Sequence, residues 1–318
     1  MPTKGLFTQG IAVLFEQPVG LDELEAALAD FDVVKRTDDS DEWAFGGPTL
    51  VVSFRPEVNG YVAVDTVSRA WPDEMGDPER DAIVFGAWTM GHFGPMAFPG
   101  ALERAASQSW LWAEGESAPA RHHAFVRVRT SYVFGRVDDD APVLPEDYAP
   151  IPELVFATRI ARALLSIPSA ICCFNPNGET LQAAENVDDL FARHEATGLL
   201  PYELWSNVRV LRLAEHEPWT MMDTVGLAQL DAPDHEALFA KEYDLAEVAN
   251  FLRNAGDYVV THGHVIEDGD TMDGPGGIPW KGVTFHDSLY HPPREVIRWL
   301  PCDGSAPPAA LVEPPDDA

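Results

Sequence analysis

Apolar positions recur with two periods along this chain, and the two periods predict a mixture of strands and helices. Alternating or continuous apolar runs of four to eight residues are typical of strands, and a spacing of three to four residues is typical of helices. In the first part of the chain these patterns predict a strand at 11–15, a helix at 21–31, strands at 49–54 and 61–67, a helical region within 79–113, and a strand at 122–134. This order of strand, helix, strand, strand, helix, strand is that of a ferredoxin-like unit.

A segment rich in Pro and Asp at residues 138–152 interrupts the pattern, and the order strand, helix, strand, strand begins again after the helix that follows it. The patterns there predict a helix at 153–167, a strand at 170–174, a helix at 187–197, strands at 204–213 and 219–227, a helix at 245–262, a strand at 282–287, and a short helix at 295–300. Two halves with the same element order suggest that the chain contains a repeat.

An internal duplication is indicated by similar segments at one constant spacing. Asp65-Thr66-Val67 returns as Asp223-Thr224-Val225, an offset of 223 − 65 = 158 residues. At that offset 11–15 lies over 169–173 and 49–53 over 207–211, with weaker matches for 92–104 and 124–132. Repeats should be sought before other patterns because they decide the fold. We therefore predict an α+β protein built from two related ferredoxin-like (βαββαβ) halves, with antiparallel sheets and helices packed on one face.

The predicted organisation has four parts. These are a first α+β repeat at 1–137, a Pro/Asp-rich connector at 138–152, a second α+β repeat at 153–300, and a disordered tail at 301–318. The tail offers little apolar surface to bury, which is the basis for predicting disorder.

Charge narrows the range of partners. The 318 residues carry 52 acidic and 21 basic side chains, giving a formal charge of −31. Nucleic acids and anionic membranes bind through Lys and Arg, so neither is expected as a partner. The acidity has two interpretations: attraction to a basic protein partner, or solubility through mutual repulsion of like-charged surfaces.

Three cysteines, an odd number without framework spacing, indicate a reducing compartment. The adjacent Cys172 and Cys173 lie in an apolar run and are expected to be buried small residues. The first residues show no signal-peptide pattern and nowhere do 18 apolar residues follow one another. These features predict a cytoplasmic protein without a membrane partner.

The densest polar cluster lies at 262–274 and is the tentative ligand-binding region. It does not fit a calcium loop, because Met272 and Pro279 stand at required ligand positions. For zinc, two histidines with no Cys and no helical spacing are too few. The alternative is structural, a helix end followed by a turn. The tentative ligand-binding residues are Asp223, Thr224, His262, His264, Asp268 and Asp270; no metal and no cofactor are predicted.

The repeat-related Asp65 and Asp223 have two interpretations. Two carboxylates can divide acid and base work, or each can accept hydrogen bonds at the end of a strand. A repeated position favours the structural role. The chain has no G-x-S-x-G elbow, no GxGxxG fingerprint and no phosphate loop, so no catalytic residues are predicted.

Five segments carry a family resemblance: 7–15, 203–209, 221–227, 268–271 and 292–296. Together they resemble a bacterial family, the domain of unknown function 4261 family. The resemblance implies a soluble bacterial α+β protein and supplies no catalytic residues, because none are established for that family.

Two classes of function follow. The first is a non-enzymatic, cytoplasmic protein-interaction module, of the immunity or scaffold type, that binds a basic partner; pairing with a second copy stays open. The alternative is an enzyme or a small-ligand or metal-binding protein, with a site near 262–273 and the strand of Asp223. The absence of a catalytic set favours the first.

Overall fold

The computed structural model describes residues 4–38, 42–134, 143–240 and 242–312. The chain divides into two compact units between Trp205 and Ser206. Each unit contains one sheet, and none of the described helices is long and apolar enough to cross a bilayer.

The first unit contains a seven-stranded sheet in the order β2-β3-β4-β5-β1-β6-β7. Every neighbouring pair in it is antiparallel. Its elements are β1 (Gln9–Phe15), α1 (Leu21–Ala27), β2 (Val33–Thr37), β3 (Thr49–Arg55), β4 (Gly60–Val67), α2 (Ala82–Thr89), α3 (Ala101–Ser107), β5 (Ala124–Ser131), α4 (Pro150–Leu164), β6 (Ala170–Asn175), β7 (Thr180–Gln182), α5 (Ala184–Thr197) and α6 (Tyr202–Trp205).

Strand β1 lies in the interior of this unit, and all seven of its residues are buried. Helix α4 packs against it and against β5, with Leu154, Ile160 and Leu164 among its buried residues. Ala12 and Leu14 belong to an aromatic-rich core formed with the segment between β4 and β5, in which Trp71 lies at the centre. Both faces of the sheet are thus covered around β1, which explains why this strand reads as a continuous apolar run.

The second unit contains a six-stranded mixed sheet in the order β11-β12-β13-β10-β9-β8. Strands β10 and β13 are parallel and the other neighbours are antiparallel. Its elements are β8 (Asn207–Arg212), β9 (Thr220–Val225), β10 (Asp234–Phe239), α7 (Leu245–His262), β11 (Thr271–Gly274), β12 (Ile278–Phe285) and β13 (Val296–Pro301). Helix α7 lies on the connection between the parallel pair, as a parallel crossover requires.

The α+β class is confirmed, whereas the two ferredoxin-like halves of the duplication are not. Residues 170–174, predicted to start the second half, form β6 and pair with β1 in the first sheet, where Leu14 lies opposite Cys172. One sheet is wholly antiparallel and the other contains a parallel pair, so the strand orders of the two units differ.

The division of the chain lies at Trp205–Ser206 rather than within 138–152, because α4, β6 and α5 all pack on the first sheet. Much of the predicted connector, residues 138–142, lies outside the described residues, as do residues 313–318 of the predicted disordered tail. Within residues 301–312 two residues are buried, Pro301 and Leu311; Leu311 is 5% exposed, and its carbonyl accepts a hydrogen bond from Arg298 Nη1 at 2.6 Å.

The short helix predicted at 295–300 is wrong, since Val296–Pro301 is strand β13. Six mostly apolar residues do not distinguish a strand from a helix by periodicity. Pairing with β10 on one side and β12 on the other decides the conformation.

Candidate functional site

A buried ionic centre surrounds Asp65, the first of the two repeat-related aspartates. Asp65 is fully buried on β4. Arg127 donates to Oδ2 from Nε at 3.1 Å and from Nη2 at 2.7 Å, and Arg129 Nη2 donates to Oδ1 at 2.7 Å. Burial raises the pKa of Asp65, but the two guanidinium groups outweigh it and hold that pKa below its usual value.

This Asp65 centre contains two cations and one anion. Burial, with repulsion from Arg127, lowers the pKa of Arg129 to about 9. Arg129 Nη1, which can only donate, lies 2.9 Å from His92 Nδ1. Burial and Arg129 together lower the pKa of His92 to about 4, so the imidazole is neutral at pH 7. Placing a neutral histidine here avoids a third buried cation.

The Asp65 centre also fixes the loop that precedes β3. Arg127 donates to the carbonyl oxygens of Ala44 at 2.7 Å and Trp43 at 3.1 Å. The backbone N–H of Gly47 donates to Asp65 Oδ2 at 3.1 Å. Three main-chain groups of residues 43–47 are therefore held by buried charges, which orders a loop that has no regular secondary structure of its own.

A second buried ionic centre surrounds Asp223 in the other unit. Arg209 donates to Asp223 from Nε at 2.9 Å and from Nη2 at 2.5 Å, and Arg294 Nη2 donates to Oδ2 at 2.6 Å. Asp65 and Asp223 thus share a chemical role, a carboxylate between two arginines. Their arginines occupy different places, because Arg209 lies on the strand before Asp223 whereas Arg127 lies on the strand after Asp65.

The Asp223 centre continues along β10. Thr224 Oγ1 donates to Asp234 Oδ1 at 2.8 Å, and Arg298 Nε donates to Glu236 Oε2 at 2.7 Å. Burial raises the pKa of both Asp234 and Glu236, against the opposing effect of nearby arginines. The sequence analysis named Thr224 but missed Asp234, Glu236 and Arg298; acidic and basic side chains inside apolar strand patterns were the available signal.

The other tentative ligand-binding residues lie on the surface, between α7 and β12. His262 Nδ1 is 3.0 Å from the Tyr258 carbonyl, and His264 Nε2 is 3.2 Å from the Asp231 carbonyl. Asp268 and Asp270 accept backbone hydrogen bonds from Thr284 and Glu267. Within the described residues no three His, Cys, Asp or Glu side chains are grouped to hold a metal. The structure therefore places these four residues at local turns and places Asp223 and Thr224 in a buried network.

A surface cleft of about 480 Å³ lies at the end of the first sheet where β4 finishes. We call it the Trp43 cleft. The residues that line it include Val19, Leu21, Trp43, Pro48, Val67 and Arg69.

Exposed apolar side chains are concentrated in the segment between β4 and β5. Of the twelve large hydrophobic residues that are exposed in the described chain, five lie within residues 83–111. We call them the α2–α3 surface: Ile83, Met90, Phe98, Trp110 and Leu111. Trp110 is 65% exposed, the largest value among the twelve.

This surface is held rigidly on the sheet by the turn between β6 and β7. Asn177 Oδ1 accepts from Met96 N at 2.9 Å, while its Nδ2 donates to the Gly10 carbonyl at 2.7 Å. Arg104 on α3 donates to the buried Glu179 at 2.7 Å. The exposed apolar groups therefore lie on an ordered segment, which lowers the entropy lost on binding a partner.

Comparison with known proteins gives one family. Residues 223–300 match the family described as Domain of unknown function (DUF4261), which confirms the predicted resemblance over that region. The match includes the segments 268–271 and 292–296, whereas 7–15 and 203–209 lie outside it. No curated protein and no solved structure matches the chain.

Proposed function

We propose that this chain, whose residues 223–300 match the DUF4261 family, is a non-enzymatic interaction module that binds a basic protein partner. The binding site in this proposal is the α2–α3 surface. The observation that carries it is the concentration of exposed apolar side chains, led by Trp110, in one ordered segment.

Helix α2 supports the proposal through its composition. Its sequence, AIVFGAWT, contains no polar side chain before Thr89. A helix that is apolar on all sides is normally buried, yet Ile83 is exposed. Met90 follows Ile83 by seven residues, which places both on one side of the helix. A partner that covers this side would remove the unfavourable contact with water.

Trp110 and Leu111 add the second part of the surface. Tryptophan is enriched among the residues that dominate binding energy at protein interfaces. The Trp110 indole Nε1 donates to Gln108 Oε1 at 3.1 Å, so the polar group of the ring already has an acceptor. Its apolar ring atoms are what remains available to a partner.

A basic partner follows from the charges around these residues. Residues 73–116 contain eight acidic side chains and two basic ones, Arg80 and Arg104, a net charge of 2 − 8 = −6. Arg104 is already paired with Glu179 at 2.6 Å. A partner with Lys and Arg around an apolar centre would be complementary in sign, and the attraction would speed its association.

The test is capture of partners from the native host by wild-type protein and by two matched variants. We expect wild type to retain a stoichiometric basic protein at low salt and release it as salt is raised, because exposed charges are screened beyond about 8 Å at physiological ionic strength. Trp110→Ala should weaken capture about tenfold or more, as loss of a dominant interface residue does. Leu199→Ala removes another exposed apolar side chain from outside the surface and should bind like wild type.

Equal capture by Trp110→Ala and Leu199→Ala would contradict this location. Capture that does not respond to salt would contradict the basic partner. Association of the protein only with itself, seen by sedimentation of the purified chain, would replace the basic partner with a second copy.

We also propose a cytoplasmic location and a common origin for two of the hairpins. Three free cysteines support a reducing, cytoplasmic location; Cys302 is exposed, and finding it as a reduced thiol in intact host cells tests this location, whereas an oxidised Cys302 would contradict it. At the 158-residue offset the sequence of the hairpin β3–β4 aligns with that of the hairpin β8–β9. This alignment supports a duplication limited to these hairpins. A common origin requires the two hairpins to resemble each other in relatives of this chain, and loss of that similarity would contradict it.

A further inference from the structure

We propose that the Trp43 cleft binds a small aromatic carboxylate, with its ring against the apolar walls and its carboxylate on Arg69. This inference is independent of the α2–α3 surface, because no residue of that surface lines the cleft. It adds a small-molecule site to a protein that the preceding proposal treats as a protein binder.

The size and lining of the cleft suit a small organic molecule. Its volume of about 480 Å³ lies within the range of roughly 300–1,000 Å³ that is typical of ligand pockets. Val19, Leu21 and Val67 also line it, each with 2–6% of its surface exposed. Pro48 and Trp43 add further apolar surface, and the guanidinium of Arg69 lies over the Trp43 ring.

Most polar groups in the lining are already engaged. Thr66 Oγ1 donates to the Val19 carbonyl at 2.9 Å, and Gly47 N donates to Asp65. Arg36 is paired with Asp22 at 2.6 Å, and also with Glu25 and Asp38. Asp38, although it lines the cleft, is thereby held against a cation and repels an anion less than a free carboxylate would.

Arg69 differs from Arg36 because it forms no ion pair within the part of the chain that the structure describes. Its guanidinium lies 5.2 Å from the centre of the Trp43 ring. A guanidinium pairs with a carboxylate through two parallel hydrogen bonds, so this side chain supplies recognition for that group.

A single available cation favours a carboxylate over a phosphate ester. A carboxylate carries one negative charge and matches one guanidinium, whereas a phosphate monoester carries nearly two at pH 7. The strongly negative protein would repel the second charge.

The loop that carries Trp43 is held by hydrogen bonds to buried charged side chains. The Trp43 carbonyl accepts from Arg127 at 3.1 Å, and Gly47 is held by Asp65. The buried Asp65 centre therefore acts as a positioning device for the cleft, since it orders the loop that presents the indole ring.

Titration calorimetry with 2-naphthoate tests the site, at about 0.15 M salt so that long-range repulsion is screened. We expect saturable binding of one molecule to the wild-type chain. The uncharged 2-naphthamide, and 2-naphthoate on Arg69→Gln, should bind about tenfold or more weakly, because each lacks one partner of a charge-assisted hydrogen bond. Arg80→Gln, an exposed arginine away from the cleft, should bind like wild type.

Equal affinity of 2-naphthoate for Arg69→Gln and wild type would overturn the assignment to Arg69. Absence of saturable binding at millimolar 2-naphthoate would overturn the proposal altogether. Arg69 is exposed, so Arg69→Gln should fold normally; matching circular dichroism melts establish this before the titration. Binding that persists in Trp43→Ala with unchanged affinity would place the ligand elsewhere.

Discussion

At the scale of single residues, the two buried aspartates are the most consequential positions. A carboxylate removed from water loses several kcal/mol of solvation, which only excellent ion pairing recovers. Asp65 has this pairing from Arg127 and Arg129, and Asp223 has it from Arg209 and Arg294. Removing the Asp65 carboxylate would leave the buried guanidinium groups of Arg127 and Arg129 without this anion, whereas removing that of Asp223 would leave Arg294 paired with Asp234 at 3.4 Å.

We therefore expect Asp65→Asn to lower the free energy of unfolding by about 3–5 kcal/mol, measured by urea denaturation. Asp188→Asn is the matched control, since Asp188 pairs with Arg162 at the surface with its side chain 57% exposed. An exposed pair is worth about 0–1 kcal/mol. A loss in Asp65→Asn no larger than in the control would show that the Asp65 centre does not stabilise the unit.

The aspartates also show how far sequence reasoning reached at this scale. The 158-residue offset correctly singled out Asp65 and Asp223 as equivalent in kind. It did not reveal the arginines, because three of them lie on strands paired with those of the aspartates and Arg294 lies in the segment before β13; these contacts are a tertiary property. The expected backbone donor exists for Asp65 in Gly47.

At the scale of elements, the path of the loop before β3 depends on one close approach, that of the Gly47 main chain to the Thr66 main chain. A Cβ added at Gly47 would lie 1.8 Å from the Thr66 carbonyl oxygen on β4. No side-chain movement relieves a contact with main chain, so the loop would have to leave β4. The hydrogen bond from Gly47 N to Asp65 would break with it.

Gly47→Ala should therefore destabilise the protein by about 1–3 kcal/mol or more, as overpacking does, and should weaken any ligand of the Trp43 cleft. The neighbouring Gly46→Ala is the control. A Cβ there would meet only Arg129 Nη2, at 3.8 Å, an ordinary contact. Thermal unfolding of Gly47→Ala and of Gly46→Ala measures the difference in stability. Equal melting temperatures for the two variants would contradict the close approach.

Elements with strong local signals were the ones that sequence predicted well. Helix α7 has the predicted bounds, 245–262, since it is long, has apolar residues at helical spacing, and begins after Asp244, whose side chain accepts from Ala246 N at 2.8 Å. Strand β13 was predicted as a helix because six residues carry too little periodic signal. Strand β10 was not predicted, because its Asp234 and Glu236 resemble loop residues until their partners are known.

At the scale of the whole molecule, buried titratable groups set how stability depends on pH. Burial lowers the pKa of His235 to about 3, and burial with Arg129 lowers that of His92 to about 4. Below about pH 6.5 both histidines are protonated in the unfolded chain but stay neutral in the folded chain until their lowered pKa values are reached. Lowering the pH below about 6.5 therefore favours unfolding. Burial raises the pKa of Glu153 to about 7, which has the opposite sign: the folded state keeps a proton that the unfolded state loses above about pH 4.5.

Replacing Glu153 with Gln isolates its contribution. Gln cannot ionise, and its amide oxygen can accept a hydrogen bond from one of the hydroxyls of Thr8 and Tyr148 while its amide nitrogen donates to the other. The stability of Glu153→Gln relative to wild type should rise as pH increases from about 4.5 to 7 and then stay level, because only wild type must ionise a buried carboxyl in that window. Urea unfolding at pH 5, 6, 7 and 8 measures it. A difference that is the same at every pH would contradict a raised pKa.

The sequence by itself determined the α+β class, the long helix α7, the family resemblance over 223–300, and the chemical similarity of Asp65 and Asp223. These features depend on local periodicity, on capping residues and on recurring residues, all of which can be read from the sequence alone. The net charge of −31 also follows from composition, and it limits which partners are considered.

Only the tertiary structure decided which sheet each strand joins, which arginines neutralise the buried carboxylates, and which apolar residues stay exposed. Strand β6 resembles a strand of either unit until it pairs with β1. Trp110 resembles a core residue until burial is known. The physical reason is that pairing and burial depend on contacts between residues distant in sequence, and local patterns do not contain those contacts.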